Sequence, residues 1–565
     1  MANNFPNLLP SLNLDLVNGI YVDPRITFTR AGTRTYYGQE VVKAEENLIL
    51  QSQTFDNASW QPSGLSVTAD TTVAPDGTTT ADTITYTGVS NYLFQQRPVS
   101  SSTAYTFTFY ALAGTATEAK YRIFNLTGGA DIVAETSYFA DINAVTWTRV
   151  TIFFTTPVGC TSIYVYPIRN SGTTGTIFLW GAQLEQRSSA TAYTATTTQT
   201  ITNYQRQLKT AAANEWPREF DPVTGECLGR SVWESRTNLS LRSEEFDNAY
   251  WTKVGATVSA NQVIAPDGTL SMDKLVEDTA NSGHSVQGTG VSVTSGIVYT
   301  FTIYAKAAER SFIRINGNTT GLVGAAYYNL STGALGTVAA GTTASIVNVG
   351  NGIYRCVFTR TATATSSVSF LVSVTNADNV SSYLGDGYSG IYIWGAQLEA
   401  GAFATPYIPT VAAQVTRLAD SAVMTGVNFS SWFRQDEGSF FVDSTNSGTF
   451  GIPINIHDGT ANNQYQVLTG TSGTAFLVTT ANVVQANFGT RATPAKTSAS
   501  YKFNDFMAST NGSVPATDTS GTLPVVSVAR IGSRYDNSSH INGYIKRLTY
   551  YPQALTSANL TAVTR

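Results

Sequence analysis

Hydrophobic and polar residues alternate along this chain in short runs. Residues 105–110 read Tyr-Thr-Phe-Thr-Phe-Tyr, residues 163–166 read Ile-Tyr-Val-Tyr, and residues 26–29 read Ile-Thr-Phe-Thr. A period of two sends successive side chains to opposite faces, so each run predicts a strand with one buried face. Residues 150–154, 438–442, 525–532 and 543–551 predict further strands. Turn signals separate them: Asn18-Gly19, Asp23-Pro24, Pro75-Asp76-Gly77, and residues 221–226, which predict a hairpin turn between Phe220 and Cys227. No window carries a 3.6-residue period, and only residues 556–564 predict a short helix. Short strands joined by such turns predict an all-β chain built from sandwiches.

The pattern occurs twice. One segment opens at Asn47-Leu48, continues to Phe55-Asp56-Asn57-Ala58-Ser59-Trp60 and closes at Trp180-Gly181-Ala182-Gln183-Leu184-Glu185. The other opens at Asn238-Leu239, continues to Phe246-Asp247-Asn248-Ala249-Tyr250-Trp251 and closes at Trp394-Gly395-Ala396-Gln397-Leu398-Glu399. Asn238, Phe246 and Asp273 each lie 191 positions after Asn47, Phe55 and Asp82. The offset is 194 at Tyr105 and Tyr299 and 214 at Trp180 and Trp394, so the second copy gains 20 residues between those strands. Part of that gain is placed in residues 321–341, rich in Gly, Ala and Thr, as an inserted loop and contact surface. The expected organisation is an extended segment 1–46, a first module 47–190, a connector 191–237 with a hairpin, a second module 238–410 and an unlike third unit 411–565. Residues 1–46 hold too few apolar side chains for their own core and should pack on a neighbour or dock on a partner.

Size and composition narrow the classes. A chain of 565 residues exceeds one core, and charged residues are 13% of it, about half the usual share. With 33 basic and 38 acidic residues the net charge is −5, and no basic run stands out, so nucleic-acid binding is not expected. Cys160, Cys227 and Cys356 are three and far apart, which suits buried free thiols rather than disulfides or zinc. Residues 1–6 show no basic-then-apolar leader, and no stretch approaches a membrane span. Synthesis and folding in a cytoplasm are expected, with no membrane association.

The two framed segments resemble the modules of bacteriophage head-fibre, spike and tail-fibre proteins, which look like carbohydrate-binding jelly rolls of the galactose-binding-like type. Residues 208–215 and 221–229 are similar to the lead-in of that family. Ala529-Arg530-Ile531-Gly532, residues 542–548 and Tyr551-Pro552 resemble a laminin-G or concanavalin A-like lectin domain. The resemblance implies two galactose-binding-like jelly rolls and one concanavalin A-like jelly roll in a protein of the virion surface. It implies attachment to other virion proteins through residues 1–46, a distal C-terminal domain, contact with host surface polysaccharide, and a homotrimer as a common assembly of such fibres.

Enzymatic chemistry finds no constellation. There is no G-x-S-x-G elbow and no P-loop, and His284, His457 and His540 lack metal-pair spacing. Glu185 and Glu399 recur, but each ends the closing strand of its own module, which favours a structural role over an opposed carboxylate pair. No catalytic residue is expected. Trp180 and Trp394 continue an alternating strand and are expected in the core, as are Trp60 and Trp251 at the opening strands. Asp76 and Asp267 in matched Pro-Asp-Gly turns suit a structural Ca²⁺ or a plain Asx turn, and the plain turn is favoured, with no cofactor. Glycan contact is expected from loops that pair aromatics with amides and carboxylates: His457, Asp458, Asn462 and Asn463 in one, and Arg534, Tyr535, Asp536 and Asn537 in the other.

Three functions are weighed. The first is a phage surface fibre or spike that adheres to host or environmental glycans. The second is a structural decoration, collar or tail component whose modules bind other virion proteins. The third, weaker, is a depolymerase spike, against which no long β-helix period is seen.

Overall fold

The computed structural model describes residues 9–88, 90–170, 172–288, 290–317 and 321–565, and within them nearly every element is an antiparallel strand. The chain forms three β-sandwiches. Among the described residues, helix is confined to Val427–Ser430, one 3₁₀ turn, and Ser557–Thr564 at the end predicted for it.

The first sandwich faces two five-stranded sheets. Inward residues of both, among them Ile84, Leu93, Phe107, Ile163 and Leu179, share one core. The second repeats this plan with two six-stranded sheets around Leu275, Phe301, Ile315, Val372 and Ile393. The added strands are Ala334–Val338 on one sheet and Thr342–Gly350 on the other. The inserted loop expected at residues 321–341 is therefore corrected. Gly324–Asn329 and Ala334–Val338 lie inside that range and pair as strands, their Gly, Ala and Thr side chains being compatible with a sheet as well as with a loop.

Duplicated residues hold duplicated joints. Asn47 Nδ2 donates to the carbonyls of Ala182 and Thr194 at 2.9 and 2.8 Å, and Asn238 Nδ2 donates to those of Ala396 and Ile408 at 3.1 and 2.8 Å. Asp82 accepts from the backbone N–H groups of Phe55 and Asp70, and Asp273 from those of Phe246 and Asn261. Burial pushes both carboxyls up to about 6 despite these donors. Trp60 and Trp251 sit in the two cores, each donating Nε1–H to a carbonyl, of Gln51 and Arg242.

Trp180 and Trp394 are buried but do not face the main cores, and that expectation is corrected. The closing strands carry a bulge after the tryptophan. Leu179, Ala182 and Leu184 point inward, while Trp180 lies on the outer face with Ala74, Ala81, Tyr110 and Tyr193. Trp394 does the same with Tyr304, Met272 and Tyr407. Gly181 and Gly395 form the bulge at φ 63° and 67°, a left-handed region that glycine enters without penalty. A Cβ at Gly395 would stand 2.9 Å from Tyr304 and 3.4 Å from Tyr407, and one at Gly181 3.2 Å from Tyr110 and 3.4 Å from Tyr193.

The third sandwich draws strands from three parts of the chain. Leu12–Asp15 pairs with Gly543–Tyr551, and Thr27–Thr29 pairs with Ser421–Thr425. Cys227–Val232, from the predicted hairpin, also joins Gly543–Tyr551. Leu12, Leu14, Phe28, Trp216 and Val232 lie in its core with Val442, Ile456 and Leu548. Residues 12–29 are thus not an appendage, and the expected separation of a 1–46 attachment segment from a distal C-terminal domain is corrected. Their apolar face is small because most of the core that it joins comes from residues 411–565. Residues 1–8 of that segment lie outside the described residues. Arg34–Asn47 pairs with Ile201–Ala211 as a two-stranded ribbon.

A buried ion network seals this assembly. Asp420, fully buried, receives Arg30 at 3.2 Å and Arg34 at 3.6 Å, and Arg34 reaches Glu219 at 2.8 Å. Cys160 and Cys356 are buried free thiols, and Cys227 is a half-buried one.

Candidate functional site

The two loops expected to contact glycan leave opposite ends of two adjacent inner strands, Phe450–His457 and Val528–Ile531, of the seven-stranded sheet in the third sandwich. His457 ends the strand Phe450–His457, where Ile454 and Ile456 point into the core. Alternation therefore sends Asn455 and His457 to the outer face. The loop at residues 532–542 folds over that face. Tyr535 meets His457 edge to face, with ring centroids 6.1 Å apart. The Arg534 guanidinium lies 4.8 Å from the Tyr535 ring and pairs with Asp536 at 3.3 Å.

His457 Nδ1 accepts the Gly459 N–H at 2.9 Å, which places the ring proton on Nε2. Nε2 is buried and has no hydrogen-bond partner. Burial, then the nearby Arg530, pushes the imidazole down to about 4, so it is neutral at neutral pH.

The remaining expected residues mostly brace their own loops. Asp458 accepts from Thr460 N–H and Oγ1–H at 2.8 and 2.7 Å and from Asn463 Nδ2 at 2.8 Å. Burial raises its pKa, but these donors outweigh it and hold the carboxyl below its ordinary value. Asp536 accepts from Ser538 N–H and Oγ–H in the same manner, at 3.1 and 2.6 Å. Asn537 accepts from Arg530 Nη1 and Ser533 Oγ. Asn463 accepts the Ala481 N–H, and Asn462 accepts that of Asn482 through its carbonyl. The structure thus brings together His457, Arg534, Tyr535 and, through Arg530, Asn537. It turns Asn462 and Asn463 toward residues 481 and 482.

Sequence reasoning missed a polar row beside this cluster. Arg530, Asn455 and Gln466 stand opposite one another on three adjacent strands, and Gln464 lies next to them. Asn455 Nδ2 donates to Gln464 Oε1 at 3.3 Å, while Asn455 Oδ1 and Arg530 Nε are buried without partners. The signal was present in the alternation of residues 452–457 and 464–467, which places amides opposite isoleucine and tyrosine positions.

The matched turns carry no cluster of acids. Asp76 and Asp267 each accept the N–H and hydroxyl of the threonine two residues on, at 2.6–3.0 Å, the bonds of an Asx turn. No group of three or more metal-ligating side chains occurs among the described residues. Glu185 and Glu399 are buried, and each accepts from Thr191 or Thr405 of its own module.

No family model matches the chain, and no curated protein matches it. Among solved structures, the N-terminal CBM22-1-CBM22-2 tandem domain from Paenibacillus barcinonensis Xyn10C matches 63% of this chain and 98% of its own, at 10% identity and a TM-score of 0.20. That likeness is too slight to support any argument here, and the assignment as tandem β-sandwiches rests on the strand pairing and shared cores described above.

Proposed function

We propose that the chain is a non-catalytic adhesion protein of a bacteriophage surface, a fibre or spike whose third sandwich contacts glycans at the His457–Tyr535 cluster. The observation that carries the reading is the packing of the 532–542 loop over the end of the strand that bears His457. A half-buried tyrosine, a stacked arginine, an unpartnered imidazole N–H and a row of amides share one sheet face. Rings offer faces to sugar C–H groups, and amides and guanidinium groups meet sugar hydroxyls. The duplicated frame that resembles phage fibre modules supports the virion setting.

A purely structural role on the particle is the second reading. The bonds that Asp458 and Asp536 make within their own loops favour it, because these carboxylates hold turns.

Glycan-array binding by the purified full chain tests the first reading. Binding that is lost in Tyr535→Ala, with the thermal midpoint kept, is the expected result. A folded wild-type chain that binds no glycan, while antibody labelling places it on particles, leaves the structural reading. Failure to find it on particles removes both.

A further inference from the structure

The two related sandwiches carry one more matched set of side chains, outside their cores. In the first, Arg149 lies over the Tyr110 ring at 5.6 Å and its Nη2 donates to Thr108 Oγ1 at 3.0 Å. In the second, Arg355 lies over the Tyr304 ring at 5.5 Å and its Nη2 donates to Thr302 Oγ1 at 3.1 Å and also to the Thr405 carbonyl at 2.8 Å. The aromatic neighbours match as well. Tyr193 meets Trp180 at 4.6 Å and bonds Ser52, and Tyr407 meets Trp394 at 4.8 Å and bonds Ser243.

Arg149 with Tyr110, Trp180 and Tyr193 lines one cavity at a boundary between units, and Arg355 with Tyr304 and Tyr407, but not Trp394, lines another. The cavity at Arg149 holds about 650 Å³ between the first and second sandwiches, and the one at Arg355 about 480 Å³ between the second and third. Both fall within the roughly 300–1,000 Å³ of small-ligand sites.

The charges on the walls are spent, except for the arginines. Lys274 pairs with Glu309 at 2.8 Å and Lys306 pairs with Glu45, while Asp76 holds its own turn. In the other cavity Glu219 pairs with Arg34, and Asp221 accepts from the N–H groups of Val223 and Thr224. Arg149 and Arg355 have no carboxylate partner among the described residues, and the Nε of each is buried without a hydrogen bond. A guanidinium with no carboxylate partner in an aromatic-walled cavity matches a carboxylate held on a ring with C–H faces.

We infer that these cavities are two equivalent sites for acidic sugar residues, with a uronic- or sialic-type carboxylate on Arg149 or Arg355 and the pyranose ring against the adjoining aromatics. The inference rests on the glycan-binding reading but places binding away from Tyr535.

Calorimetric titration of the full chain with galacturonate oligomers, N-acetylneuraminate and galactose tests it. Two acidic-sugar sites per chain are expected, about tenfold tighter than the neutral sugar, a difference carried by the charge-assisted pair. Arg149→Gln and Arg355→Gln each remove one site, and Tyr535→Ala leaves both. Arg149→Lys keeps the charge but loses the fork, so it keeps two sites with one weakened; it also guards against misfolding in the glutamine variants. The wild-type titration is decisive alone: no acidic-sugar binding at millimolar ligand, or equal binding of galactose, overturns the proposal. Acidic-sugar binding that persists in a folded double glutamine variant also overturns it. Acidic-sugar binding that is lost in Tyr535→Ala and kept in the double glutamine variant sinks this proposal and leaves the adhesion reading standing, whereas a chain that binds no glycan at all sinks both.

Discussion

The first and second sandwiches share a frame and differ in what leans on it. Asn47 and Asn238, Asp82 and Asp273, and Trp60 and Trp251 make the same bonds in both copies. The second adds one strand to each sheet, and the strand Thr342–Gly350 forms part of the cavity wall facing the third sandwich. Duplication therefore preserved the joints that fold a module, and growth at the free edges supplied the contact with a new neighbour. An unpaired edge is where a strand is added at least cost to the existing core.

Several substitutions probe how far the two copies have parted. Asp420→Ala should have the largest effect, about 5 kcal/mol, because it leaves Arg30 in the interior without a carboxylate and Arg34 with Glu219 alone. Differential scanning calorimetry should show the transition of the third sandwich lowered, and the first sandwich unmoved. A shift of the first sandwich would mean that the three units melt as one.

Trp394→Ala should cost about 5 kcal/mol and Trp180→Ala about 3, as read by chemical denaturation. Both sit among two tyrosines, but the Trp394 cluster adds Met272, Leu208 and Val263, whereas the Trp180 cluster adds two alanines and the half-buried Trp147. Equal losses would show that the outer clusters are interchangeable despite their different neighbours. Gly181→Ala should cost about 1–2 kcal/mol from the left-handed backbone alone. Gly395→Ala should cost about 1 kcal/mol more, from its closer approach to Tyr304.

The smallest effect is a difference in pH response. Glu244 accepts the Tyr407 hydroxyl at 2.9 Å, and burial pushes its carboxyl up to about 6; the matching position in the first sandwich is Gln53. The folded state thus holds this proton more tightly than the unfolded chain, whose pKa is about 4.3. Stability present below pH about 4 is lost as pH rises through about 6. Glu244→Gln should flatten that slope and raise stability at neutral pH by about 1 kcal/mol, discounted for partial exposure. Thermal midpoints at acid and neutral pH check it, and an unchanged slope would assign the response to Asp82 and Asp273, which both copies share.

The strands, the duplicated frame and the Asx turns were legible because each depends on neighbours within a few residues. The place of residues 12–29 was not, because Leu12 finds its partner at Tyr550, and no local pattern announces a contact across that span. The outward turn of Trp180 was hidden by one extra residue at Gly181, which reverses the face of everything before it relative to everything after. At the candidate site, His457 and Tyr535 were legible as aromatic members of polar loops. Asn455, Gln466 and Arg530 were not, because their meeting depends on strand register between distant segments.

The pairing of Leu12–Asp15 with Gly543–Tyr551 also governs how the molecule answers a pull. Leu12 faces Tyr550 and Asp15 faces Arg547, so the two tails leave from the same side of the pair. Tension between the tails would open these bonds one after another, as a zip opens, instead of loading them in parallel. A single copy pulled at Leu12 and Tyr551 would therefore yield first at this seam, and the first two sandwiches would bear the load only after it had parted.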